Sequence, residues 1–162
     1  LDMDAKYCLQ LRYSAQLHDV GKMGVAPTVL RKTSALNTEE RREMDNHTIY
    51  GHRILNQSPR LAMAAEIALN HHEKWDGSGY PDGKREDEIP LSARIVQIAD
   101  IYDALRSKRP YKPALDHQQA RDIILHGDDR IDAGGHFDPR VVEAFGDTHE
   151  SFDKIWRNLQ DV

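Results

Sequence analysis

The chain has 162 residues, 39% hydrophobic and 30% charged, with a net charge of −5 at pH 7; that is the length of one domain with its own core, with no basic excess to neutralise a DNA or RNA duplex. No apolar run approaches the roughly 18 residues of a membrane span, and no secretory signal is visible. Cys8 is the single cysteine, which excludes an internal disulfide and a thiolate zinc cluster, fits a reducing cytoplasmic setting, and leaves nitrogen and oxygen as the donors of any metal site.

Helical periodicity runs through almost the whole chain. Segment 4–18 repeats apolar residues at Cys8, Leu11 and Ala15, with Asp2 or Asp4 placed to cap it. "DVGKMGVAP" ends it with two glycines and a proline. The stretch "LNTEERREMDNHTIYGHRIL" predicts a second helix: Asn37 stands three residues before Glu40, as in a capping box, and Met44, His47, Gly51 and Ile54 share a face. A third helix from about Arg60 to His72 puts Leu61, Ala65, Ala68 and His72 on one side. After the loop "EKWDGSGYPDGKREDEI", Pro90 suits the first turn of a fourth helix. Its "LSARIVQIADIYDAL" is apolar nearly all round, hence central to the core. "DHQQARDIILHG" is punctuated by Asp116 and Gln119 at its start and Gly127 at its end. Asp138 and Pro139 offer another start, and a last helix, 147–160, is expected to bury Phe152, Ile155, Trp156 and Leu159. No strand-like alternation, internal repeat or linker is visible. The reading is one all-α domain over residues 1–162.

Four histidines and two aspartates stand out against this pattern: His18 with Asp19, His47, His71 with His72, and Asp100. His18, His47 and His72 fall on apolar faces, and Asp100 lies inside "IVQIADIYDAL". A buried charge is costly unless paired or metal-bound. Taken singly, an inward histidine is usually hydrogen-bonded in the core, and Asp100 fits a buried arginine as well as a metal. Taken together, these residues lie at or near the ends of helices that pack, and imidazole with carboxylate suits Zn, Fe, Mn or Co. Neighbours on a helix point about 100° apart, so His71 and His72 are expected to serve two ions, with a carboxylate such as Asp19 between them. Such sites hydrolyse phosphate esters by activating water and shielding phosphoryl charge. Lys22 reads either as a positive charge for a phosphate or as a solvated surface lysine.

"HDVGK" (His18 to Lys22) resembles the signature of the HD phosphohydrolase superfamily, and "HHEKWDGSGYP" (His71 to Pro81) matches the HD-GYP motif HHExxDGxGYP at every specified position. "NHTIYG", "IVQIADIYDALRSKRPYK" and "HFDPRVVEAF" resemble further segments of that family, with Thr48 in place of a common proline. The likeness extends from about residue 1 to 146. It implies an HD-domain helical bundle of roughly six to seven helices and two or three divalent metal ions, Fe or Mn favoured and Zn possible. His18, Asp19, His47, His71, His72 and Asp100 would be the metal ligands, Asp19 as the bridge. Lys22 would contact the scissile phosphate. Gly79, Tyr80 and Pro81 would lie beside the substrate, and Arg109 and Lys112 would bind its phosphate or guanine. The resemblance implies hydrolysis of the bacterial second messenger cyclic di-GMP, a metal-bridging hydroxide expelling a ribose 3′-oxygen to give pGpG and then GMP. In that family an earlier helix supplies a further His and at times a Glu. The chain begins after it, so a fragment of a longer regulatory protein is expected, with an upstream receiver or sensor domain, or a diguanylate cyclase domain, as its protein partner.

Two other functions fit the same residues: an inactive module that binds cyclic di-GMP or a protein, and an HD hydrolase of another cyclic dinucleotide. Glu73 and Asp103 are read as partners that orient metal ligands. Trp75 and Tyr111 are read as loop packing, with stacking of an aromatic on guanine as the alternative, His52 and His149 as surface residues, and His117, His126 and His136 as showing no convergence.

Overall fold

The computed structural model describes residues 1–108 and 113–160; Arg109, Tyr111 and Lys112, singled out in the sequence, lie outside them. The described residues are helical and contain no strand. They fall into two compact units, Asp2–Val96 and Gln97–Val162, the second taking in Leu1. Among the described residues seven helices have eight residues or more, and α2 (Pro27–Leu30) and α8 (Ala133–His136) have four each.

In the first unit, α1 (Ala5–Ala15) starts at Asp4, whose carboxylate accepts the Tyr7 N–H at 2.6 Å. It stops three residues before His18, and a turn leads into a 3-10 segment, Val20–Gly24. The long second helix expected from the sequence is two. α3 (Thr38–Asp45) opens on the Asn37–Glu40 capping box, and α4 (His47–Leu55) follows after Asn46, which closes one helix and opens the other. α5 (Ala62–Asn70) enters through a 3-10 turn at Pro59–Leu61.

Leu55, Ala64, Ala65 and Ala68 form the buried core here, with Leu17 and Val20 packed against it. Residues either side of His18–Asp19 thus anchor that dipeptide to α4 and α5. Three of these four are alanines, so the helices approach closely. Gly21 carries this further: a Cβ there would collide with the His47 carbonyl and the Gly51 backbone. The apolar stripe read at Cys8 is corrected, since Cys8 is exposed and α1 buries Ser14 instead. Ile54 and Leu61 are also exposed. The chain turns after Ala15, and Leu17 takes the core position that a continuing helix would have left to other residues.

α6 (Leu91–Arg106) runs through the boundary between the units, and most of its length is buried, as its all-round apolarity predicts. The second unit adds α7 (His117–His126), α8 and α9 (Pro139–Gln160). α7 begins with the Asp116–Gln119 capping box and ends at Gly127, whose φ of 84° suits glycine. The expected break near residue 147 is absent. α9 is one 22-residue helix, because Val141, Phe145 and Phe152 continue a single apolar face across Gly146. Tyr102, Phe145 and Phe152 meet with ring centroids 5.0–6.0 Å apart.

Ile155 and Leu159, expected to be buried, are 59% and 67% exposed. The inward position is taken by Asp153, which accepts from Arg106 at 2.7 Å and Arg157 at 2.6 Å while Arg106 lies over the Trp156 ring. Nor is His149 a surface residue without neighbours: its Nδ1 meets His117 Nε2 at 2.9 Å, and His117 Nδ1 meets the Tyr102 hydroxyl at 2.9 Å.

Candidate metal centre

Helix ends in the first unit bring four histidines together. His47 is the first residue of α4, His71 follows the last residue of α5, and His18 and His72 lie in the turns after α1 and α5. Three of them are oriented by main-chain carbonyls. His18 Nδ1 lies 2.8 Å from the Ala15 carbonyl, His47 Nδ1 2.7 Å from that of Met44, and His71 Nδ1 3.1 Å from that of Ala68. A carbonyl only accepts, so each Nδ1 must carry the proton. In the neutral rings that leaves the Nε2 lone pair for the cluster.

The Nε2 atoms of His47 and His71 stand 3.4 Å apart. Asp19 Oδ1 is 3.4 Å from the first and 3.9 Å from the second. It is buried and has no hydrogen-bond partner. Three acceptor atoms thus face one another, an arrangement that repels itself unless a cation lies among them. Donors about 2.1 Å from one tetrahedral ion stand about 3.4 Å apart, which is close to the spacing found. Burial lowers the His47 pKa and so favours the neutral, metal-binding imidazole. Burial pushes the Asp19 carboxyl up, but contacts with His18 and Lys22 outweigh it and hold the group ionised well below the usual carboxylate range.

Two sets of donors fit a metal ion: His47, His71 and His72; and His18, Asp19 and His71. The helix-angle argument that kept His71 and His72 apart is corrected. His72 has left the helix, the two rings are 4.0 Å apart, and one set contains both. The sets share His71, so they suit neighbouring sites. Lys22 is no free surface cation, because its ammonium lies 2.5 Å from Asp19 Oδ2.

The loop after His72 is held from inside. Glu73 is 1% exposed, and its carboxylate accepts the N–H of Asp82 at 2.8 Å and of Lys84 at 3.0 Å. Lys84 Nζ donates to Asn70 Oδ1 at 2.6 Å, and the Tyr80 N–H donates to the His72 carbonyl at 3.2 Å. The loop is thereby folded back on the end of α5. A Cβ on Gly79 would strike the backbone of His72, Glu73 and Lys74. The fold-back stacks Tyr80 on His72, centroids 4.9 Å apart, while Pro81 lines a cleft beside it. Trp75 packs beneath Arg94, whose guanidinium lies 5.6 Å from its ring centre.

Of the residues singled out in the sequence, His18, Asp19, Lys22, His47, His71, His72, Gly79, Tyr80 and Pro81 all belong to the first unit. Asp100 is half-buried on α6 in the second unit, and Asp103 is exposed there. The sequence reading missed Gly21 as the close contact that lets the His18–Asp19 turn reach α4; the glycine directly after the dipeptide was its signal.

The described residues are helical and bring together a His/Asp cluster, built on "HD" and "HH", that could hold a metal ion. Residues 1–141 match the HD domain family, and the chain belongs to it, with the HD-GYP signature in its loop. It is 47% identical over 162 residues to a cyclic di-GMP phosphodiesterase of Vibrio cholerae, covering 95% of this chain and 32% of that protein. It is 41% identical over 164 residues to a cyclic di-GMP phosphodiesterase of Thermotoga maritima, covering 99% of this chain and 43% of that protein. A 3′3′-cGAMP-specific phosphodiesterase of V. cholerae is 41% identical over 153 residues, 93% of this chain and 28% of that protein. The chain therefore spans a third to two-fifths of the length of the two cyclic di-GMP phosphodiesterases.

Proposed function

We propose that this chain is the hydrolytic domain of a cyclic di-GMP phosphodiesterase. The observation that carries the reading is the triangle of His47 Nε2, His71 Nε2 and Asp19 Oδ1, three acceptors in one buried space. His18, Asp19, His47, His71 and His72 would hold two divalent ions; Fe(II) or Mn(II) fits the nitrogen and oxygen donors, as does Zn(II). When bound, such ions lower the pKa of water and shield charge on phosphoryl oxygens.

The chain's own residues do the rest. Carbonyl anchors keep Nδ1 of His18, His47 and His71 protonated and their Nε2 atoms aimed inward. Asp19 stays ionised. Lys22, held at Asp19, stands ready for a phosphoryl oxygen. Tyr80 and Pro81 wall the substrate side. Water would attack phosphorus, the bond to the ribose 3′-oxygen would break, and the product would be linear pGpG, open to a second cut to GMP.

The cGAMP-specific relative favours one second reading, a cyclic GMP–AMP hydrolase built on the same centre. A cytoplasmic setting and a regulatory domain or diguanylate cyclase partner belong to the proposal; among the described residues no helix is long and apolar enough to cross a membrane. The test is chromatography of cyclic di-GMP and 3′3′-cGAMP after anaerobic incubation with the Fe(II)- or Mn(II)-loaded chain, beside Asp19→Ala. Conversion of cyclic di-GMP to pGpG, lost in the variant, is expected. Faster cleavage of 3′3′-cGAMP selects the second reading, and two intact substrates with the metal bound defeat both.

A further inference from the structure

Beside the histidine cluster lies a cleft of about 370 Å³ lined by Arg42, Asp45, Asn46, Ile49, Tyr80 and Pro81. Its volume falls within the range of small-molecule sites, about 300–1,000 Å³. Ile49, Pro81 and the Tyr80 ring supply apolar walls, and Arg42, Asp45 and Asn46 supply a polar edge from the junction of α3 and α4. The Asp45 carboxylate is bonded by the Tyr80 hydroxyl, yet its Oδ1 is buried with no hydrogen-bond partner. An unmet buried acceptor is unfavourable, so a donor that reached it would gain. Asp45 is half-buried and lines the cleft, and the oxygen that accepts from Tyr80 keeps a second lone pair.

We propose that this cleft is the base subsite and that Asp45 selects guanine. The proposal rests on the phosphodiesterase reading, because it names the base that the same centre receives. Guanine presents adjacent N1–H and N2–H donors, which a carboxylate accepts together, and O6 and N7 acceptors, which an arginine reads. Arg42 and Asp45 stand on one rim of the cleft with those complementary roles. Adenine sets a bare ring nitrogen beside its amino group, so one lone pair would face the carboxylate. Tyr80 joins the two places: its ring walls the cleft and stacks on His72. A base seated here would therefore carry its sugar and phosphate toward the cluster.

The test is calorimetric titration of the whole Mn(II)-loaded chain with GMP and with AMP, in wild type, Asp45→Asn and Ile49→Trp, with melting curves to report folding. Wild type should prefer GMP about 10- to 100-fold, the discrimination of a bidentate base contact. Asp45→Asn should lose that preference and keep its AMP affinity, which a merely structural role for Asp45 would not produce. Ile49→Trp fills the cleft and should weaken both nucleotides. Equal wild-type affinities, a preference that survives Asp45→Asn, or binding untouched by Ile49→Trp would overturn the subsite even in a chain that cleaves cyclic di-GMP. An Asp45-dependent preference in a chain that cleaves no cyclic dinucleotide would support the subsite and overturn the hydrolase reading.

Discussion

Glu73 is the carboxylate directly behind the paired histidines, and Glu73→Gln isolates what it does. Its two oxygens accept the Asp82 and Lys84 N–H groups at 2.8 and 3.0 Å. Charge-assisted bonds of this kind are worth about 1.5–3 kcal/mol each. Glutamine keeps one acceptor but turns its amino group toward the other N–H, so one bond is lost and one buried donor is left unmet. That loss is about 2–4 kcal/mol. Burial works the other way: it raises the Glu73 pKa against the two N–H bonds, so the neutral amide recovers part of the desolvation. The net expected loss is about 2 kcal/mol, or roughly 4–8 °C in Tm for a chain of this size. The damage should reach the metal, because the same loop stacks Tyr80 on His72. Differential scanning calorimetry and a Mn(II) titration would read both effects. A drop of less than about 1 °C with unchanged metal affinity would show that the carboxylate's burial cancels its bonds, and that the loop is held by something else.

Gly21→Ala should be more severe for activity than its single methyl suggests, because the new Cβ meets the His47 carbonyl and the Gly51 backbone. Overpacking of this kind costs about 1–3 kcal/mol; hydrolysis should fall at least about tenfold, about 1.4 kcal/mol in the barrier, in a kcat/KM assay. Added Mn(II) should raise Tm, by about 2.7 kcal/mol of stability at one hundred times its Kd, and Asp19→Ala or a chelator should abolish the rise in a thermal melt. Burial pushes the Asp153 carboxyl up, but the Arg106 hydrogen bond with the His117 and Arg157 charges outweighs it and depresses its pKa. The unfolded chain therefore binds the proton more readily, so Asp153 stabilises the fold above the unfolded value of about 3.9, and this is lost as pH falls through the depressed folded pKa. Asp153→Asn should flatten that acid limb in urea melts at successive pH values.

Local signals in the sequence were strong where a cap or a turn residue acts alone. Asn37 with Glu40, Asp116 with Gln119, and Gly127 each sit where side-chain chemistry places them. The cluster was legible for a similar reason: polar residues recur where apolar ones belong, and burial makes them account for themselves. What could not be read depends on neighbours distant in sequence. Asp45 and Gly21 acquire meaning only when α4, Tyr80 and the turn after His18 meet. Ile155 and Leu159 follow the same helical period as Phe152, yet the Arg106–Asp153 pair turns the buried side of α9 away from them. Periodicity shows that a helix has two faces; it does not say how far along a helix the buried face persists.

The imidazoles of His18, His47 and His71 are each aimed by a carbonyl three residues earlier in the chain. A carbonyl is common to every amino acid, so substitution at Ala15, Met44 or Ala68 can change the size of the neighbour without deleting the anchor. Ligand orientation here is buffered against mutation in a way that a carboxylate anchor, removable by one codon change, is not. Drift around this centre should therefore alter the cleft at Tyr80 and Pro81 long before it disturbs the aim of the histidines.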